Sequence, residues 1–406
     1  MRNIILIIIL LFVVQGQAQE LQSYIQEAES NSPEIQAFEL RYNIAEEKVN
    51  EVNTLPNTEV SAGYFVSETE TRTGAQMAKL SVKQMIPWFG TITARENYAT
   101  SLAEAEFVEI TIAKRKLALS VTQSYYRLYS IRARQRVLEE NIALLDTYEK
   151  LALTSLEVGN ASAVDVLRLQ IRQNELVERK EVLGQDFLAE QSVFNNLLNR
   201  DENMEVEVFD ALNLPSKDPM VSLQDLNVHP ELLKYDELYE SVEKAELVNE
   251  KESLPDLGFG LDYVAITERP NMDFNDNGKD ILMPMVSVSI PIFNNRYKSI
   301  TKQNKLRQQE LTAQKKDRRN KLETVLLTAI SNRESSRIAY STQLDNLQQA
   351  DDAEEILIKS YESGSIDFND VLDVQELQLK FQINGIESVK NYYVQMAIIN
   401  YLSNNN

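Results

Sequence analysis

Leu156-Glu157-Val158-Gly159, followed by Asp165-Val166-Leu167 and Gln170, returns 205 residues later as Tyr361-Glu362-Ser363-Gly364, followed by Asp370-Val371-Leu372 and Gln375. Working outward, Ser32-Pro33-Glu34-Ile35 returns as His229-Pro230-Glu231-Leu232, and Leu55-Pro56-Asn57 with Tyr64 as Leu254-Pro255-Asp256 with Tyr263. Ile86-Pro87-Trp88-Phe89 likewise returns as Ile290-Pro291-Ile292-Phe293. The chain is two copies of a unit of roughly 200 residues, each ordered as short helix, strand pair, long helix, glycine turn and second helix. The first repeat is expected at 19–214, with strands near 58–67 and 77–87 and long helices near 91–157 and 162–200. The second is expected at 215–406, with strands near 257–267 and 281–291 and helices near 294–362 and 366–403.

The helices are too long for an ordinary globule. Neither Pro nor Gly occurs from Thr91 to Leu156 or from Phe293 to Ser363, so each run can form a helix on the order of 100 Å long. Leu117, Val121, Ser124, Leu128, Ile131, Gln135, Leu138, Ile142 and Leu145 keep a 4-3 spacing with seven apolar members. Such a narrow stripe calls for a supercoiled partner. Leu169, Leu176, Leu183, Phe187, Phe194 and Leu197 supply one on the returning helix. The hairpins should turn near Gly159-Asn160 and Gly364-Ser365, where glycine ends a helix without a Cβ penalty. Asp165 and Asp370 then sit in the first turn of each returning helix, where a carboxylate favours the positive end of the dipole. A role in a pore is the other reading of these two aspartates.

The strand pairs cannot stand alone. Val286, Val288 and Ile290 alternate with Ser287 and Ser289, and period-two runs of about ten residues suffice to cross an outer membrane when tilted. The joining stretches, Ser67–Gln76 and Thr267–Asp280, are polar. Trp88, Phe89, Phe293 and Tyr297 collect where strands lead back to helices, a position suited to an interfacial aromatic girdle as well as to ordinary core. Open sheet edges are not tolerated in lipid, so each chain must supply a fraction of a shared barrel. Three copies bring about 12 strands, within the known range.

Met1-Arg2-Asn3 followed by the apolar run Ile4–Val14 and Gly16-Gln17-Ala18 reads as a signal peptide over 1–18, with a mature start near Gln19. Without it, 40 basic residues face 62 acidic ones, an imbalance that argues against nucleic acid as a partner. No cysteine is present, which excludes thiolate chemistry and a lipid-anchor cysteine. The single histidine, His229, stands at a helix start where the other repeat has Ser32; a capping role fits it better than catalysis. No glycine-rich phosphate loop is present. The expectation is therefore a protein that is not an enzyme, has no cofactor and has no metal site.

The Pro-Glu helix starts, the Leu-Pro before the first strand, the strand pairs inside a tandem hairpin repeat and the Gly…Asp-Val-Leu tips resemble the TolC-type outer-membrane factors, the outer membrane efflux protein family. Ile86-Pro87-Trp88-Phe89-Gly90 and Ile290-Pro291-Ile292-Phe293-Asn294 are most similar to the branch serving heavy-metal cation exporters. The resemblance covers the mature chain. It implies a mainly α fold with a small membrane β part, three protomers forming a 12-stranded β-barrel and an α-helical barrel. It implies an outer-membrane duct reaching into the periplasm, fed by an inner-membrane pump of the RND type through a periplasmic adaptor (membrane fusion protein). Asn369-Asp370-Val371-Leu372-Asp373 matches the family's aperture stretch, so Asp370 and Asp373 would form carboxylate rings. Asp165 and Tyr361 match partners of an aperture latch, while Ile366 stands where the family's type member has an arginine. The tips, Gly159, Asn160, Gly364 and Ser365, would be the adaptor-docking surface. Metal ions, drugs and polypeptides all use this architecture, so a duct for a type I secretion system is an alternative. A periplasmic coiled-coil structural or adaptor protein is another, and it would not require matched strand pairs.

Overall fold

The computed structural model describes residues 20–157, 162–363, 365–366 and 368–403. The leader expected at 1–18 and the tip residues Gly159, Asn160 and Gly364 lie outside the described residues. Helix α1 covers 20–31. It is followed by α2 (Pro33–Val52), β1 (Glu59–Tyr64), β2 (Glu70–Thr71), β3 (Gly74–Ile86), α3 (Thr91–Glu157) and α4 (Ala163–Leu197). A short 3-10 turn, Leu223–Val228, opens the second repeat, which continues as α5 (Pro230–Glu252), β4 (Asp256–Thr267), β5 (Ile281–Ser289), α6 (Arg296–Glu362) and α7 (Phe368–Leu402). Each long outgoing helix has 67 residues and each returning helix 35. The fold class is as expected, mainly helical with a small sheet.

The compact units do not follow the repeats. One gathers 1–37, 111–229 and 319–406, the other 38–110 and 230–318, so each draws on both repeats; they are called here the hairpin unit and the sheet unit.

In the sheet unit the strands run in the order β1-β3-β4-β5, all antiparallel, with the two-residue β2 paired to the start of β3. Leu80 opposite Tyr263 and Val82 opposite Leu261 join the two repeats. The strands stop where the prolines require: β3 ends at Ile86 before Pro87, and β5 at Ser289 before Pro291, because proline cannot donate to a ladder. Pro284 lies inside β5, which tolerates it as an edge strand. The helices repeat the strand order. Arg41 and Glu106 tie α2 to α3, Arg95 and Glu252 tie α3 to α5, and Asn249 donates to the Tyr297 carbonyl to tie α5 to α6.

In the hairpin unit the seam behaves as its spacing demands. Val121, Leu128, Leu138 and Leu145 are buried, and Leu117 and Ile142 pack beside them. One cluster joins α1, α3, α4 and α7 through Tyr125, Phe187, Phe194 and Val389; the other joins α3, α4, α6 and α7 through Leu145, Leu169, Phe368 and Leu379. Tyrosines fasten the irregular segment between the repeats: the Tyr125 and Tyr129 hydroxyls accept from the Phe209 and Leu212 amides, and Tyr393 donates to the Asn213 carbonyl at 2.6 Å. These bonds satisfy backbone groups that a loop over a core would otherwise leave bare.

Candidate functional site

The sheet has two chemically distinct faces. The register puts Val60, Val82, Leu261 and Pro284 in one row and Leu80, Tyr263 and Leu282 in the next. Phe259 and Val286 make a further pair. These side chains are exposed, Val286 at 71% and Leu282 at 64%. The alternate residues include Ser61, Lys79, Ser81, Lys83, Asp262 and Ser287 along with the apolar Met85, Val264, Ile281, Met283 and Met285. Lys79 pairs with Asp262, whose side chain is fully buried. Gly258 keeps that face open to its neighbours, since a Cβ there would meet Ser287 Oγ at 2.2 Å and Met85 Sδ at 2.7 Å. An apolar exposed face of this size on a soluble protein marks an interaction surface. Among the described residues the outer strands β1 and β5 each pair on one side only, leaving two rows of backbone groups open to a further strand.

The girdle residues divide. Phe293 is fully exposed and Phe89 nearly so, whereas Trp88 is half-buried edge-on to Phe89 and Tyr297 is half-buried beside Arg296.

At the hairpin ends, Asp370 and Asp373 are exposed on the first two turns of α7. Phe368 and Val371, buried on the opposite side, fix that helix start; Phe368 meets the Tyr361 ring edge-on at 4.8 Å. Asp165 completes a capping box: its Oδ2 accepts from the Ser162 amide at 3.0 Å while Ser162 Oγ accepts from the Val164 amide. Its first-turn role is thus realised. The structure does not bring Asp165 and Tyr361 into a hydrogen bond. Tyr361 is buried with no hydroxyl partner among the described residues, and Ile366 packs into the same apolar cluster. Ser365 is exposed, its hydroxyl paired with that of Ser363.

Other residues tie the hairpins together, and only the structure reveals them. Arg168 on α4 donates to Asn369, and Arg172 lies 3.5 Å from Glu376. These guanidinium groups come from the first repeat, whereas Ile366 belongs to the second. Higher up, Tyr148 donates to Glu354, which also accepts from Gln378 at 2.8 Å. Burial, then the bond to Glu354, pushes the Tyr148 hydroxyl well above the ordinary range. Tyr148→Phe is therefore expected to cost about 1.5–3 kcal/mol, the range for a bond to a charged acceptor. The loss should be measured by denaturant unfolding, together with faster amide exchange in α6 and α7; unaltered exchange would show that this bond does not hold the hairpins. The repeat partners Gln170 and Gln375 have diverged: Gln170 is exposed and bonds Glu149, whereas Gln375 is fully buried and donates to Asn141 at 2.8 Å.

His229 is buried, and its Nε2 donates to the Tyr401 carbonyl at 3.1 Å. Among the described residues no group of His, Cys, Asp or Glu side chains could hold a metal ion, and no helix is long and apolar enough to cross a membrane.

Solved structures of other proteins share this architecture. VceC from Vibrio cholerae aligns over 95% of this chain and 96% of its own at 16% identity, with a TM-score of 0.72. CusC aligns over 95% and 92% at 14% identity with a TM-score of 0.75. The open state of the Neisseria gonorrhoeae MtrE channel aligns over 94% and 88% at 14% identity with a TM-score of 0.72. At these identities the likeness establishes the fold. Residues 24–184 match the sequence model of the family described as Outer membrane efflux protein. No curated protein matches it.

Proposed function

We propose that the chain is the outer-membrane duct of a tripartite efflux system. As a homotrimer it would extend into the periplasm and passively conduct substrates delivered by an inner-membrane pump, of RND type, through a periplasmic adaptor. The observation that carries this reading is the exposed apolar face of a sheet whose two outer strands, among the described residues, each pair on one side only. Lipid satisfies the face, and neighbouring copies satisfy the edges. The polar face with Lys79, Lys83 and Asp262 then borders the lumen, and Phe89 and Phe293 reach the interfacial layer. Asp370 and Asp373 are proposed as the aperture and Asp165 and Tyr361 as partners of its latch, with Arg168, Arg172 and Tyr148 as further tethers. Gly159, Asn160, Gly364 and Ser365 are proposed as the adaptor-docking tips.

Fractionation tests the reading: the protein should stay with detergent-extracted outer membrane as a heat-labile trimer. Recovery as a soluble monomer would favour a periplasmic adaptor instead. Val286→Arg places a charge on the lipid-facing row and is expected to cost about 2–4 kcal/mol if that position lies near the bilayer midplane. Reduced membrane-inserted trimer, at unchanged expression, is the expected result; wild-type insertion would show that this face does not meet lipid.

A further inference from the structure

The sheet unit has two margins, α2 with β1 and α6 with β5, and they differ in charge. Over 296–318, α6 carries eight Lys and Arg residues against Glu310 and Asp317. Lys315 and Arg318 are spent on α5, pairing with Asp236 and Glu231. Lys298, Lys302, Lys305 and Lys316 recur at helical spacing on one exposed face. None of these four is hydrogen-bonded or within ion-pair distance of an acid among the described residues, although the Lys305 charge acts on Glu246 of α5. Exposed Leu306 lies beside them.

The other margin is the complement. Over 38–52, α2 carries Glu39, Glu46, Glu47 and Glu51 against Arg41 and Lys48. Arg41 turns toward Glu106, and Lys48 bonds Glu51 within the helix. Leu40, Ile44, Glu47 and Glu51 follow at spacings of four, three and four along one exposed stripe of α2, with Leu40 and Ile44 exposed at 56% and 70% and Glu47 also bordering the groove toward α3. Behind this margin Glu46, Glu47, Glu104, Glu237 and Glu240 line a groove of about 950 Å³. Burial, then the charges of Glu104, Glu240 and Asp236, raises the Glu237 carboxyl.

We propose that the lysine-rich start of α6 seats on the glutamate-rich end of α2 from a second copy of this chain, with Leu306 meeting the Leu40–Ile44 patch. The inference rests on the trimeric reading above and adds what selects the contact. Two α6 margins repel, and so do two α2 margins, so only the head-to-tail pairing is favoured. Such a heterologous contact closes a ring when its rotation fits. The same pairing would bring β5 against β1, as the open sheet edges require. Charges at an interface rim act chiefly on association rate and partner choice, so assembly should depend on ionic strength.

The test exchanges charges in the full chain. One variant carries Lys298→Glu, Lys302→Glu and Lys305→Glu, a second carries Glu46→Lys, Glu47→Lys and Glu51→Lys, and a third combines all six. Heat-labile trimer is quantified on mild-detergent gels, with helix content followed by circular dichroism. Each single-margin reversal is expected to slow trimer formation by on the order of tenfold or more, and the combined variant to recover most of it. Trimer formation by either single-margin variant at the wild-type rate, or failure of the combined variant to recover, overturns the proposed contact while leaving a trimeric wild type intact. A wild-type protein that never forms trimer overturns the trimeric reading itself.

Discussion

Asp218→Ala should lower the stability of the hairpin unit by about 3–5 kcal/mol, the range for removing one partner of a buried ion pair. Asp218 is largely buried on the segment between the repeats, 3.3 Å from Arg333 Nε and bonded by Arg337. It also accepts from the Tyr392 hydroxyl at 2.6 Å, and Arg337 holds the Pro215 carbonyl at 2.8 Å. Arg333 is itself buried. Removing the carboxylate leaves two guanidinium groups without their counter-charge, and the segment from Pro215 to Asp218 loses its fastening to α6 and α7. Burial alone would raise the Asp218 carboxyl, but the bonds from Arg337 and Tyr392 and the charge of Arg333 outweigh it and hold the carboxyl below the ordinary range. A depressed folded value means that the contribution is fully present above the unfolded pKa, about 3.9. It is lost as pH falls through the folded value. Asp218→Asn, which keeps the shape but not the charge, should therefore remove a component of acid sensitivity below about pH 4 that the wild type shows. Denaturant unfolding of the detergent-solubilised protein between pH 3 and pH 7 measures both effects. A loss under about 0.5 kcal/mol for Asp218→Ala, the level of an ordinary surface change, would show that the network is incidental.

Local rules made the repeat, the helix lengths and the strand limits legible before the structure. A run without Pro or Gly, a 4-3 stripe and a proline after the second strand of each pair act over a few residues and do not depend on the rest of the chain. The tethers were not legible, because their partners are far apart in sequence. Arg168 meets Asn369 and Tyr148 meets Glu354 across some two hundred residues, and nothing in either segment names the other. Repeat symmetry also misleads in detail. Gln170 and Gln375 share a motif position, yet one faces water and the other is fully enclosed. The symmetry applied to backbone order, and each side chain then took the role its own neighbours permitted. The compact units illustrate the same limit: each long helix passes from one unit to the other at 110–111 or 318–319, where the sequence carries no Pro, Gly or change of composition. Of the candidate site, the first-turn place of Asp370 and the aromatic ends of the strands could be read from position, while Asp373 was named by resemblance alone. The Lys79–Asp262 pair could have been suspected only from the alternation of Lys79, Ser81 and Lys83 in β3.

Replacing Asp370 and Asp373 together by Ala should weaken block of single channels by multivalent cations by on the order of tenfold or more and reduce cation selectivity. The two carboxylates are exposed one turn apart, on a helix start that Phe368 and Val371 pin by burial, so charge can be removed without disturbing the packing beneath. In a trimer the six carboxylates would share one aperture. Unit charges about 8 Å apart at an effective dielectric of about 20 interact by roughly 2 kcal/mol, enough that losing even one such contact to a bound cation exceeds a tenfold change in affinity. Asp370→Asn with Asp373→Asn separates charge from width, since the amides fill the same space; it should reproduce the loss of block at nearly unchanged conductance. Arg168→Ala with Arg172→Ala tests the other half of the site. These arginines tether α4 to α7 and are not proposed to line the path, so their loss should raise the open fraction while leaving the selectivity of the open channel as it was. Planar-bilayer recordings distinguish the two. Unchanged block and selectivity in the aspartate variants would remove Asp370 and Asp373 from the aperture, and altered selectivity with an unaltered open fraction in the arginine variant would move the arginines from the tether into the path.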